Sequence, residues 1–313
     1  MGGVGRQSRG VSAGTVRRLV AIQFPHWAHL PVTTVVHGGR DNCTFRLGDE
    51  LIARLPSAAP YVAQVEKEHR WLPVLACHLP LSIPEPVAMG SPADEFPYPW
   101  SIYRWIDGDP ANSAQVPDPA QFAGDLAAFL RALHTVDASD GPPPGQHNFH
   151  RGGPLDTYDG QVRDALRSLA GQVDAATAAA LWDAALATTW DGRPMWVHGD
   201  VAPSNLLVGD GRLRAVLDFG CTAVGDPACD LVIAWTYFEG ESRERFRRGL
   251  SLDEATWARG RGWALWKCLI TLVEEGRGST GSALRFGWRT STGDIIGALL
   301  GALLAEHSGS VSR

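Results

Sequence analysis

One stretch, Met195 to Asp230, limits this chain more than any other. It opens Met195-Trp196-Val197-His198-Gly199-Asp200-Val201-Ala202-Pro203-Ser204-Asn205 and runs into the apolar Leu206-Leu207-Val208. Gly209-Asp210-Gly211 makes a turn, and Leu213 to Phe219 carries Asp218 at the end of a second apolar run. Gly225-Asp226-Pro227 and Asp230 close the stretch. The pattern reads as two or three short buried strands with polar side chains at their ends. Asp200, Asn205 and Asp218 each stand just outside an apolar run, which is how a rigid scaffold aims carboxylates and an amide at a ligand. The plain alternative is a buried β-hairpin whose Asp and Asn residues only cap turns.

Phosphoryl transfer needs this trio. Magnesium takes hard oxygen ligands, commonly one or two carboxylates together with phosphate oxygens. Asp218 and the amide oxygen of Asn205 would hold the metal against a nucleoside triphosphate, leaving Asp200 to accept a proton from a hydroxyl. His-Gly-Asp, an Asn five residues on, Asp-Phe-Gly, then Gly-Asp-Pro and Asp occur in order within 33 residues. Together they resemble the aminoglycoside and macrolide phosphotransferase family. The resemblance implies an α+β, two-lobed protein-kinase-like fold, with a small antiparallel-sheet N-terminal lobe and a larger, mainly helical C-terminal lobe. It also implies Mg2+, ATP or GTP as co-substrate, and a small hydroxylated acceptor. The Arg of the protein-kinase His-Arg-Asp and an Ala-Pro-Glu element are missing, which argues against a protein kinase.

The rest of the composition narrows the partners. The chain has 313 residues, enough for one large domain or two lobes, and a formal charge of −6. It offers no basic field for nucleic acid. Five scattered cysteines without metal-ligand spacing suit a reducing compartment. The longest apolar stretch near the C-terminus, Ile295 to Ala305, is too short to span a bilayer, and the N-terminus lacks the apolar core of a signal peptide. A cytoplasmic protein with neither a membrane nor a nucleic-acid partner is expected.

In order, residues 1–14 read as disordered, 15–106 as the N-terminal nucleotide-binding lobe, and 107–313 as the C-terminal catalytic and acceptor-binding lobe. Thr15 to Phe24 has helical periodicity. Strands are expected at Val32–Val36, Cys43–Leu47 and Leu51–Leu55, with Gly38 and Gly39 in the first turn. Glycine lets a backbone come close to phosphates, but two adjacent glycines fit an ordinary hairpin equally well. Arg54 stands where the resembled fold has a strand lysine that grips the nucleotide phosphates. Glu68, on the expected helix Tyr61–Ala76, is its matching partner, with Glu66 the second choice. The strand Trp100–Ile106 would run to the hinge, where the backbone of Arg104, Trp105 and Ile106 would meet the nucleobase edge. Tyr103 and Trp105 can equally be sheet packing.

Helices are expected at Pro119–Thr135, Thr157–Leu169 and Ala175–Thr188, and later at Leu252–Glu275 and Trp288–Glu306. His134 reads as structural. The irregular run Asn148 to Leu155 is a candidate wall for the acceptor. Asp226 and Asp230 read as caps that satisfy backbone N–H groups, and His198 as a loop histidine that steadies the backbone near Asp218. The expected activity is transfer of the γ-phosphoryl group to a small molecule, an aminoglycoside or macrolide antibiotic among the candidates. A housekeeping kinase of an amino alcohol, homoserine or sugar, and a nucleotide-binding pseudokinase regulator, stay open as alternatives.

Overall fold

A computed structural model describes residues 11–35 and 41–276, and positions 301, 303 and 305 further on. Gly38, Gly39 and the expected helix from Trp288 lie wholly or largely outside these residues. The chain divides into two compact units. One takes the chain up to His78, then Ser82–Asp107 and Asp218–Gly220. The other takes Leu79–Leu81, Gly108–Leu217 and the chain from Cys221 onward.

The first unit is built on an antiparallel sheet of five strands in the order β1-β2-β3-β5-β4. These are β1 (Val32–Thr34), β2 (Asn42–Leu47), β3 (Leu51–Pro56), β4 (Pro86–Gly90) and β5 (Trp100–Arg104). Alternation in β3 sends Leu51, Ala53 and Leu55 to one face, where they are buried with Phe45, Leu47, Trp100 and Ile102. Helix α1 (Ala13–Gln23) covers that face with Val16, Leu19 and Val20. The helix begins at Ala13, within the segment expected to be disordered, because Ser12 caps it by accepting the Thr15 N–H at 3.1 Å. The same alternation sends Arg54 to the opposite face, where Ser101 and Tyr103 of β5 are also buried. Helix α2 (Val62–Ala76) contributes Glu68 and His69 there; His69 Nε2 lies 3.1 Å from Ser101 Oγ.

The second unit is mainly helical. In chain order it contains β6 (Asp109–Pro110), α3 (Pro119–Thr135), α4 (Asp159–Ser168), α5 (Ala175–Leu186) and β7 (Met195–Val197). Next come β8 (Leu206–Gly209), β9 (Arg212–Val216), β10 (Ala223–Gly225), α6 (Ile233–Thr236), α7 (Gly240–Leu250) and α8 (Glu254–Gly276). Helix α3 starts where Asp118 caps it with Pro119 in the first turn, and it packs on α7. Its Phe122, Leu126, Phe129, Leu130 and Leu133 are all buried, as their three- and four-residue spacing requires. Helix α8 packs on α4, α5 and the turn Pro227–Val232. Trp257, Trp263 and Trp266 of α8 are core side chains. Two short ladders hold the motif: β8 pairs with β6 and β9, and β7 pairs with β10. Strand β10 has no clear signature in the sequence; three residues are too few for a period.

Gly225 at the end of β10 fits tightly against Gly152. A side-chain carbon at position 225 would lie 2.2 Å from the Gly152 carbonyl oxygen. The Asp226 N–H donates to that same oxygen at 2.8 Å.

Candidate active site

In the second unit, the loop after β7 is fixed from beneath by Asp230. This fully buried carboxylate accepts the His198 N–H on Oδ2 at 2.9 Å and the Gly199 N–H on Oδ1 at 2.7 Å. Burial pushes the Asp230 carboxyl above its ordinary range, and the nearby His198 and the two N–H bonds pull it back only in part. Gly199 has φ +84°, and a side-chain carbon there would meet the Cys221 carbonyl oxygen at 2.4 Å, so the loop needs glycine at this position. His198 is buried and ties the loop to the chain just beyond β9. Its Nε2 is 2.8 Å from the Leu217 carbonyl oxygen, and its Nδ1 accepts the Asp200 N–H at 3.2 Å. That arrangement places the ring proton on Nε2, which donates to the Leu217 carbonyl. Both ring nitrogens are therefore occupied, and His198 steadies the backbone instead of acting as a base. Asp226 caps the next turn by accepting the Ala228 N–H, and its carboxylate pairs with Arg259 of α8 at 2.6 Å, both side chains nearly inaccessible.

Asp200 emerges from this frame with its carboxylate 37% exposed. Oδ1 receives Lys267 Nζ of α8 at 3.0 Å. Partial burial pushes the carboxyl up, but the charges of Lys267 and Arg151 outweigh it and hold Asp200 below the usual carboxylate range. It is therefore an ionised acceptor at neutral pH. Asn205 Nδ2 donates to the Asp200 carbonyl at 3.0 Å and stands 3.5 Å from its Oδ2. Turned this way, the amide presents its oxygen elsewhere, as a hard donor. The Leu217 N–H donates to the Asn205 carbonyl at 2.7 Å, so the residue before Asp218 is bound to the loop that carries Asn205.

The run Asn148 to Leu155 is held by Asn148, fully buried, whose Nδ2 donates to the Arg151 and Cys221 carbonyls. Phe149 and His150 both take positive φ. Arg151 leaves this loop and lies over Trp266 at 4.5 Å and Trp263 at 5.3 Å, while Nη1 donates to the Tyr158 hydroxyl. A cation held against two aromatic rings keeps its charge and loses little motion on binding.

In the first unit, Arg54 serves two carboxylates. Its guanidinium donates to Asp218 Oδ1 at 3.1 Å and lies 3.8 Å from Glu68 Oε1. Tyr103 donates its hydroxyl to Glu68 Oε2, and Arg54 lies over the Tyr103 ring at 5.7 Å. Burial drives the Glu68 carboxyl up against the pull of Arg54. Asp218 holds φ +65°, an uncommon backbone for a residue with a side chain. Lys67 donates to the Gly220 carbonyl at 2.7 Å, which fixes the other end of Asp218-Phe219-Gly220. Of the expected base-edge residues, Arg104 gives its N–H to Glu85 and Trp105 gives its N–H to Glu50. The Arg104 side chain pairs with Glu85, and Arg46 stacks on the Trp105 ring at 3.7 Å. Ile106 is half-buried beyond the strand.

A family model described as the phosphotransferase enzyme family, abbreviated APH, matches residues 32–263. The chain belongs to the phosphotransferase enzyme family. Among solved structures, this phosphotransferase is similar to a GDP complex of aminoglycoside 2'-phosphotransferase-IIIa, at 19% identity and a TM-score of 0.70, covering 95% of this chain and 100% of that one. A GDP and kanamycin complex of an APH(2") enzyme matches at 18% identity and a TM-score of 0.67, over 94% and 98% of the two chains. The macrolide 2'-phosphotransferase MphH from Brachybacterium faecium matches at 20% identity and a TM-score of 0.57, over 91% and 97%. No curated protein matches the phosphotransferase by sequence. At these identities the likeness establishes a shared kinase-like α+β fold. Among the described residues no helix is long and apolar enough to cross a membrane.

Sequence alone did not point to Lys267, nor to Tyr103 as the partner of Glu68; Arg151 lies within the run Asn148–Leu155 already expected to line the acceptor. Lys267 had a signal. It sits inside Trp263-Ala264-Leu265-Trp266-Lys267-Cys268-Leu269, and a lysine within a buried apolar run needs an anion. Which anion it finds depends on a fold contact 67 residues away in sequence.

Proposed function

We propose that this phosphotransferase moves the γ-phosphoryl group of ATP or GTP to a hydroxyl of a small molecule, with Asp200 as the group that orients and deprotonates that hydroxyl. The observation that carries the reading is the state of Asp200: an ionised, partly exposed carboxylate on a loop whose backbone is pinned by Asp230 and His198. In the transfer, the acceptor oxygen forms a bond to phosphorus as the bond between γ-phosphorus and the bridging oxygen breaks. The acceptor proton passes to Asp200, and the nucleoside diphosphate leaves. The transition state is loose, so positioning and charge neutralisation supply most of the rate. Arg54, aligned by Glu68, is assigned to the nucleotide phosphates.

Among the described residues no group of three or more His, Cys, Asp or Glu is arranged to hold a metal. The donors assigned here, the Asp218 carboxylate and the Asn205 amide oxygen, fit magnesium, which takes its other ligands from phosphate and water. Magnesium bound there would neutralise charge on the transferring phosphoryl group.

Relatives named for aminoglycosides and macrolides make those antibiotics the first acceptors to try. A nucleotide-consumption screen with ATP and GTP against aminoglycosides, macrolides, choline, homoserine and sugars, with mass spectrometry of the product, tests the reading. A phosphorylated product in any arm is the expected result; an antibiotic product marks resistance, and an amino alcohol, homoserine or sugar product marks a metabolic kinase. Nucleotide binding with no product in any arm favours a regulator. Asp200→Asn should keep nucleotide affinity and lower turnover by about 10²–10⁴; unchanged turnover removes Asp200 from the mechanism.

A further inference from the structure

We propose that Lys267 is a positioning residue of the transfer site, clamping Oδ1 of Asp200 so that Oδ2 alone is presented to the incoming hydroxyl. The inference rests on the reading of Asp200 given above and goes beyond it, because it assigns a second side chain, from a different element, to the same step.

The two carboxylate oxygens of Asp200 are not equivalent. Oδ1 is held by Lys267 at 3.0 Å, whereas among the described residues Oδ2 has only the Asn205 amide at 3.5 Å, the far limit of a hydrogen bond. The backbone of Asp200 is held on both sides, by His198 at its N–H and by Asn205 at its carbonyl. What the backbone leaves unset is rotation of the side chain, and Lys267 sets it. The loop itself supplies no cation, since Val201, Ala202, Pro203 and Ser204 come directly after Asp200. The charge has to come from elsewhere in the fold.

Helix α8 is suited to deliver it. Lys267 is 7% exposed and stands among buried Ala264, Leu265, Trp266, Cys268 and Leu269. Its own carbonyl accepts the Thr271 hydroxyl at 2.7 Å. The register of α8 is fixed separately by the buried pair of Arg259 with Asp226, two turns earlier. A long lysine stem normally has much rotamer freedom; this one has spent it on packing before any substrate arrives. The fixed ammonium also keeps the carboxylate from swinging toward a bound cation or toward its own backbone.

The test uses the full chain, magnesium-ATP and magnesium-GTP, and radiolabelled phosphate release with water as acceptor, together with any acceptor found in the screen. Four variants are compared: Lys267→Met, Lys267→Arg, Asp200→Asn, and the pair Lys267→Met with Asp200→Asn. Lys267→Met should lower kcat by roughly 10–100-fold, the scale of a small misplacement of a reacting group, at an unchanged nucleotide KM. Lys267→Arg, which keeps the charge, should recover to within about 5-fold of the parent. The double variant should be no slower than Asp200→Asn, because a residue acting through Asp200 has nothing left to position. Wild-type turnover in Lys267→Met, failure of Lys267→Arg to recover with an intact fold, or losses that multiply in the double variant would each overturn the proposal. If Lys267→Met does not fold, Lys267→Gln takes its place, and loss of the fold in both assigns Lys267 to stability alone and overturns it as well. Full turnover in Asp200→Asn is a separate result; it removes the base and leaves the clamp without a step to serve.

Discussion

The two units handle buried charge in opposite ways. In the second unit each carboxylate of the motif has its own partner: Lys267 for Asp200, Arg259 for Asp226, and two backbone N–H groups for Asp230. In the first unit one guanidinium, Arg54, is divided between Glu68 and Asp218, and Tyr103 makes up the difference at Glu68. A dedicated pair is a fixed structural element. A shared cation can be drawn toward whichever anion is present, which would suit the phosphate-binding role proposed for Arg54. The difference separates a frame from a grip.

The sharpest way to break this comparison is at the frame. Arg259→Met leaves the buried Asp226 carboxylate unpaired and should cost about 3–5 kcal/mol, read by denaturant unfolding. A loss below about 1 kcal/mol, the range of an exposed pair, would show that the pair is not a fixed element. Next comes the grip. Arg54→Met should weaken nucleotide binding by roughly 10–100-fold, the worth of a charge-assisted hydrogen bond, in a calorimetric titration. Asp218→Asn should instead weaken the magnesium-nucleotide complex and leave metal-free nucleotide binding nearly unchanged. The stability lost in Arg54→Met should be smaller in acid, where Glu68 takes a proton, than at neutral pH; burial already pushes that carboxyl up, and removing the cation pushes it further.

The smallest effect comes from a residue in neither group. Burial on α3 lowers His134 to about 4, and among the described residues its Nε2 has no hydrogen-bond partner. A histidine depressed in the folded state contributes stability above its unfolded pKa and loses it as pH falls. On the order of 2 kcal/mol should disappear between pH about 6.5 and about 4. His134→Gln should flatten that part of the unfolding-versus-pH curve; an unchanged curve would mean that His134 is hydrated.

Much of this was legible because periodicity and capping are local. The helix Pro119–Thr135 was readable to the residue from the spacing of Phe122, Leu126, Phe129, Leu130 and Leu133, and the structure adds the Asp118 cap. The spacing of His198, Asp200, Asn205 and Asp218 was readable because each side chain stands at the end of an apolar run or beside one. Asp230 was readable as an acceptor of loop N–H groups because Pro227 marks a turn start close by. What was illegible depended on contacts between distant segments. Nothing local links Lys267 to Asp200, or Tyr103 to Glu68. The N–H groups of Arg104 and Trp105 are engaged by Glu85 and Glu50, pairings that only the strand order of the sheet decides.

The seam where Gly225 meets the Gly152 carbonyl reaches further than one contact. It joins two loops that are far apart in the chain. A graft that replaces the run from Asn148 to Leu155 has to keep its main chain clear of the Gly225 corner. A graft that brought any residue other than glycine to position 225 would press its side chain into the Gly152 carbonyl. For anyone redesigning this chain, position 225 is therefore the one to leave as glycine.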